Sequence, residues 1–154
     1  MKNKRFNIRK ARKTDFGSII GLLTQLAHFE KLTPPEKEAQ NRLIKDAFGT
    51  DRAFNILVAE NVGRDLCGYA FYFFTYSSFL ARKSLYLEDI YISEKHRNKG
   101  IGKMFMKELV KIAERNDCRR MEWAVLDWNT NAIKFYDKLG AKPLKDWIYY
   151  RLKI

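Results

Sequence analysis

Arg97-Asn98-Lys99-Gly100-Ile101-Gly102 is the stretch of this sequence best suited to hold an anion. Its glycines let backbone approach a ligand closely. Where such a loop opens a helix, the free amides and the dipole of the first turn point positive potential at the bound group. Lys95, His96, Arg97, Lys99 and Lys103 add charge around it. The spacing is neither that of a P-loop nor a full GxGxxG fingerprint, and a tight turn carrying exposed cations accounts for the same residues.

Two further places could do proton chemistry. Glu88 and Asp89 are neighbours in an apolar run, and strand neighbours face opposite sides, so only one would reach a given cleft. Glu30 follows Ile19 by eleven residues. Eleven steps of ~100° return to nearly the same helical face, which puts a carboxylate at the end of an apolar stripe. Tyr136, beside Phe135, reads on its own as a packing aromatic. Cys67 lies inside a strand with no His placed to activate it, and His28 and His96 have no metal-ligand spacing, so no metal is expected.

The elements that must position these groups follow from periodicity. Residues 6–10 alternate as a strand, and Thr14 and Asp15 are cap residues ahead of Ile19, Leu22, Leu23 and Leu26, the stripe of an amphipathic helix. Residues 36–48 read as a second helix closed by Gly49. Residues 55–60 and 66–75 form a hairpin, 84–92 a strand, and 100–116 a helix with Ile101, Phe105, Leu109 and Ile112 inward. A strand over 121–126, a helix over 129–138 stopped by Gly140, and a last strand over 147–154 complete the pattern. With no repeat or linker, residues 1–154 are expected to be one mixed α+β domain.

The chain carries 30 Lys and Arg against 18 Asp and Glu, a net charge of +12. Seven of those cations (Lys2, Lys4, Arg5, Arg9, Lys10, Arg12 and Lys13) fall in the first thirteen residues, so much of the excess is one N-terminal patch. Such a patch suits any polyanion, coenzyme A or nucleic acid alike. Two distant cysteines and no basic-then-apolar leader fit a reducing cytoplasm. No apolar run approaches the ~20 residues a membrane helix needs.

The run Leu85-Tyr86-Leu87-Glu88-Asp89-Ile90-Tyr91-Ile92, then Arg97-x-x-Gly100-x-Gly102, then Trp128-Asn129 and Ala132-Ile133-Lys134-Phe135-Tyr136-Asp137-Lys138-Leu139-Gly140-Ala141, resembles the GCN5-related N-acetyltransferases (GNAT). Within them it is most similar to the spermidine/spermine N-acetyltransferase branch, thialysine acetyltransferases included. The likeness runs nearly the whole chain, from Leu26-Ala27-His28-Phe29-Glu30 to residues 147–154. It implies a mixed, strongly twisted sheet splayed at the cofactor site, with helices on both faces. It also implies direct transfer from acetyl-CoA to a primary amine, and a homodimer.

Carried over residue by residue, the resemblance assigns backbone at Ile90, Tyr91 and Ile92 to the pantetheine arm, and Arg97, Asn98, Lys99, Gly100, Ile101, Gly102 and Lys103 to the pyrophosphate. Asn129 and Ala132 complete the cofactor wall. Phe29, Glu30, Glu88, Glu122, Trp123 and Ala124 correspond to amine-site positions, Glu88 to the base acting through water, and Tyr136 to the general acid. A lysine-like amine of pKa ~10.4 must shed a proton at a cost of roughly 4.6 kcal/mol at pH 7, so a base is required. A thiolate of pKa ~8.5 can take a proton from a phenol at modest cost.

The acceptor is less defined. Glu30, Glu36, Glu88, Asp89 and Glu122 could serve a polyamine, yet Lys142 and Lys145 stand where the polyamine enzymes carry acids. Diamines, lysine-like amino acids and protein lysines all stay open. The second class of reading is a non-catalytic module using the basic patch on nucleic acid, but the aromatics among those cations form no stacking motif.

Overall fold

The computed structural model describes residues 5–154, so Lys2 and Lys4 of the basic patch lie outside the described residues. The chain gathers into two compact units, the first ending at Trp123 and the second running from Ala124 to Ile154.

In the first unit five strands form one sheet in the order β1 (Phe6–Lys10), β2 (Asn55–Asn61), β3 (Leu66–Ser77), β4 (Arg82–Ile92) and β5 (Met121–Glu122). The first three ladders are antiparallel and the last is parallel. Alternation divides the side chains between two faces. Ile56, Val58, Tyr69, Phe71 and Tyr91 join Ile19, Leu22 and Leu26 of α1 (Phe16–Phe29) and Ala47 of α2 (Lys37–Phe48) in one buried cluster. Each large aliphatic side chain removed from water contributes about 1.5–3 kcal/mol. Leu57, Ala70, Leu85 and Leu87 are buried in the alternate phase, and α3 (Ile101–Arg115) packs on β4, β1 and β2 with Ile101, Phe105, Leu109 and Ile112 buried. Helices therefore cover both faces, as the sequence implied.

Arg9 ties β1 to its surroundings. Its guanidinium donates to both carboxylate oxygens of Asp15 at 2.7 and 3.0 Å and to Glu60 at 2.8 Å. Asp15 also accepts the Arg12 amide, so it organises the turn ahead of α1 instead of capping the helix through its side chain. One cation of the basic patch is thus committed inside the fold.

In the second unit α4 (Thr130–Lys138) is capped by Asn129, whose side chain accepts the Ala132 amide at 3.2 Å. Gly140 ends the helical run at φ 85°, a left-handed conformation that glycine adopts without strain.

Two strand expectations are corrected. The fifth strand stops at Glu122, not at residue 126, and residues 147–154 form no strand. Alternating apolar residues supply propensity, but a strand exists only where a neighbour takes its backbone hydrogen bonds, and no described strand pairs with this segment. Trp147 and Tyr150 are 75% and 89% exposed.

Candidate active site

The anion loop follows β4 directly. Ser93 donates its amide to the Cys67 carbonyl on β3 at 2.9 Å, and its hydroxyl meets His96 Nδ1 at 2.7 Å, which fixes the short turn Glu94–His96. Burial and the nearby Lys99 and Lys95 push His96 below its ordinary value, so the ring is neutral at pH 7. The chain then turns through Asn98 at φ 59° and Gly100 at φ 82° into α3. The helical ladder opens with the Met104 amide on the Gly100 carbonyl at 3.1 Å, leaving the Ile101, Gly102 and Lys103 amides without intrahelical acceptors. Around this turn Lys99 Nζ donates to the Lys95 carbonyl at 2.8 Å.

β4 supplies an open edge beside that loop. β5 pairs with it only at Leu85 and Tyr86, so from Leu87 to Ile92 it has a ladder on the β3 side alone among the described strands. Because Ser93 turns its N–H toward β3, alternation turns the backbone groups of Ile92 and Ile90 to the open edge. The Ile92 carbonyl there receives Arg97 Nε at 3.1 Å. The Arg97 guanidinium carbon lies 5.4 Å from the Phe29 ring centroid and 5.6 Å from that of Tyr91. On β3, Gly68 permits this arrangement, since a Cβ there would sit 2.5 Å from the Tyr91 carbonyl oxygen.

The β3–β4 ladder slips by one residue at the carboxylates. Phe71 stands opposite Asp89 and Tyr72 opposite Leu87, so Glu88 is the extra residue of a β-bulge. The phase of β4 changes there. Leu85 and Leu87 share the face of Tyr72, while Asp89 and Tyr91 share that of Phe71 and Tyr69. Glu88 is exposed and Asp89 half-buried. Burial, then the charges of Glu88 and Glu30, push the Asp89 carboxyl up to about 6. Glu30 closes α1 and is raised by burial. Tyr69 is fully buried and its hydroxyl has no hydrogen-bond partner.

Of the other expected site residues, Glu122 is held by Arg120 Nε at 3.5 Å and Ala124 is exposed. In the second unit, burial pushes the Tyr136 phenol up to about 12, and its ring lies 5.3 Å from that of Phe135. Cys67 is buried with its thiol raised by burial, a poor nucleophile. Among the described residues no group of three His, Cys, Asp or Glu side chains is placed to hold a metal ion, and no helix is long and apolar enough to cross a membrane.

Sequence reasoning did not single out Tyr69, and it set Asp89 behind Glu88. The bulge leaves no mark in an unbroken β-forming run, and the adjacent carboxylates were its one visible trace.

The strand, glycine turn and helix just described fall within residues 20–141, which match the family model described as Acetyltransferase (GNAT) family. The chain belongs to this family. It is an N-acetyltransferase, and GNAT enzymes use acetyl-CoA as cosubstrate. The mouse thialysine N-epsilon-acetyltransferase is 37% identical over 95% of this chain and 91% of its own length. A human spermidine/spermine N(1)-acetyltransferase-like protein is 34% identical over 95% of this chain but only 22% of its own length. Among solved structures, an integron cassette protein from the mobile metagenome of V. cholerae superposes with a TM-score of 0.82 at 26% identity, covering 97% of this chain and 93% of that one. The mixed five-stranded sheet with helices on both faces is the GNAT fold.

Proposed function

We propose that this GNAT enzyme moves the acetyl group of acetyl-CoA directly to a primary amine of a small, multiply cationic acceptor, either a lysine-like amino acid or a diamine or polyamine. The observation that carries this reading is the open β4 edge running into the Arg97–Gly102 turn, with carboxylates on the same strand. The edge offers Ile90 and Ile92 backbone to a pantetheine amide, with Tyr91 between them. The amides of Asn98 to Lys103 and the dipole of α3 suit a pyrophosphate. Asn129 and Ala132 complete the cofactor wall in this reading.

Glu88, exposed at the bulge, takes the ammonium proton through a water, and the freed nitrogen attacks the thioester carbonyl. As the C–S bond breaks, Tyr136 gives its proton to the departing thiolate. Phe29, Glu30, Glu122, Trp123 and Ala124 line the acceptor side. In this reading residues 1–154 form one catalytic domain and the enzyme is a cytoplasmic homodimer. Relatives that act on thialysine, or resemble spermidine/spermine enzymes, support a small acceptor with more than one amine.

The test is release of free CoA thiol from acetyl-CoA in the presence of thialysine, L-lysine, spermidine, 1,3-diaminopropane and a lysine-containing peptide. Turnover of the small amines at least tenfold faster than the peptide is expected. Preference for the peptide would reassign the enzyme to proteins. A lack of turnover, with salt-dependent duplex binding instead, would favour the nucleic-acid module.

A further inference from the structure

We infer that Arg97 is a clasp on the open edge of β4, one that admits thioesters bearing a diphosphate and holds back those without it. The inference rests on the cofactor placement proposed above, with pantetheine along β4 and the pyrophosphate at the turn ahead of α3. It names the residue that makes those two halves of the ligand depend on each other.

Arg97 stands where the strand gives way to the turn. It follows the short turn Glu94–His96 in extended backbone, at φ −65° and ψ 162°, with its amide on the Glu94 carbonyl at 3.2 Å. Its side chain reaches back to β4, where Nε donates to the Ile92 carbonyl at 3.1 Å. The guanidinium carbon rests 5.4 Å from the Phe29 ring centroid at the end of α1 and 5.6 Å from that of Tyr91.

Two consequences follow from this position. The Ile92 carbonyl is one of the edge groups of β4 that no described strand takes, and a pantetheine amide would need it. While Arg97 occupies that acceptor, the edge is closed at the end nearest the turn. The cation, for its part, has no ion pair among the described residues, and the side chain is exposed. One carbonyl and two ring faces hold it, whereas a phosphate offers a charged partner for both arms of the guanidinium fork. The place for such an anion adjoins it in the chain: Asn98 at φ 59° and Gly100 at φ 82° lead into the free amides of α3.

A ligand shifts an equilibrium only by its different affinities for the two states. A short thioester binds the unclasped edge and gains nothing from the displaced guanidinium, so its apparent affinity falls with the fraction of protein that is unclasped. A CoA thioester receives that guanidinium on its diphosphate. Coupling of this kind is reciprocal, so a diphosphate at the turn and a pantetheine on β4 each favour the other through Arg97.

The experiment measures binding of pantetheine by calorimetry, with and without inorganic pyrophosphate, to the wild type and to Arg97→Ala. Beside it, kcat/KM is compared for acetyl-CoA and S-acetylpantetheine with 1,3-diaminopropane as acceptor. The wild type should bind pantetheine about tenfold more tightly when pyrophosphate is present, a usual scale for coupling between two sites. Arg97→Ala should bind pantetheine about tenfold more tightly than the wild type does without pyrophosphate, and pyrophosphate should add nothing. The two donors should then move in opposite directions in Arg97→Ala. S-acetylpantetheine should gain about tenfold in kcat/KM, and acetyl-CoA should lose severalfold because its diphosphate has lost a bidentate partner. A residue that only held the diphosphate would leave pantetheine binding unchanged by the substitution, and a structural residue would weaken both donors. Either result overturns the clasp while leaving the acetyltransferase reading intact. If S-acetylpantetheine turns over too slowly to compare, the calorimetry decides. Pantetheine that binds neither protein, with or without pyrophosphate, would remove it from β4, and the cofactor placement itself would fail together with the clasp.

Discussion

Asp89 stands opposite Phe71 across the β3–β4 ladder, on the face of the sheet that α1 covers, although Leu87 two residues earlier belongs to the other face. A regular strand cannot do this, and the bulge at Glu88 is the device that does. It places a carboxylate against aromatic rings, where its charged form is disfavoured, and so carries a stability cost.

That cost has a sign that can be measured. Asp89 titrates at about 6 in the folded protein and at about 3.9 when unfolded, so its stabilising, protonated form is fully present below about pH 3.9 and is lost as pH rises through 6. An asparagine amide at this position is neutral throughout. The substitution Asp89→Asn is therefore expected to stabilise the protein by about 1–2 kcal/mol at pH 8, a few degrees in Tm, with the two melting curves converging near pH 4. Equal melting temperatures at both pH values would show that Asp89 is better solvated than its position implies.

Gly100 has φ 82°, and a Cβ added there meets nothing within 4 Å. The strain of a left-handed valine costs about 1–2 kcal/mol, which a domain of this size tolerates. The open space lies at the mouth of α3, where the proposed pyrophosphate would sit. Gly100→Val should remain folded by circular dichroism yet bind acetyl-CoA at least tenfold more weakly by calorimetry. Unchanged affinity would move the cofactor away from this turn.

The legible part of the fold was the part encoded by periodicity. The Ile19, Leu22 and Leu26 stripe, the buried side of α3 and the strands of the central sheet were found close to where they lie, because one buried face imposes a period on each. Residues 147–154 carry a strand pattern but have no ladder, since pairing depends on a neighbour that the pattern cannot name. The anion turn was legible because glycine has few substitutes at φ 82°. The phase change at Glu88 was not, since a bulge alters geometry without altering composition.

Glu30 gives a KM test. Its helical phase and its partial burial agree in placing the carboxyl at the end of the apolar stripe of α1, where burial raises it. Glu30→Gln keeps shape and removes charge, so the amine KM should rise about tenfold while the acetyl-CoA KM stays within twofold. The opposite split would assign Glu30 a structural role.

Tyr136 bears on the mechanism itself. Burial pushes its phenol up to about 12, so in the free enzyme the proton is present across any practical assay range, and its ionisation should cause no loss of rate between pH 7 and 10. A free thiolate of pKa ~8.5 is a weaker base than this phenolate, so full transfer runs uphill by roughly 3.5 units, about 5 kcal/mol, and Tyr136 acts by sharing its proton with the sulfur as the C–S bond breaks. Tyr136→Phe retains the ring beside Phe135 and deletes only the hydroxyl. As a general acid Tyr136 would contribute ~10²–10⁴-fold, so kcat should fall by that range while acetyl-CoA affinity and Tm stay near wild type. Thio-substituted cosubstrates with more acidic leaving thiols should recover part of the loss, since they need less protonation to depart. A variant that keeps near-full kcat, or whose loss is the same for every leaving group, would return Tyr136 to a packing role.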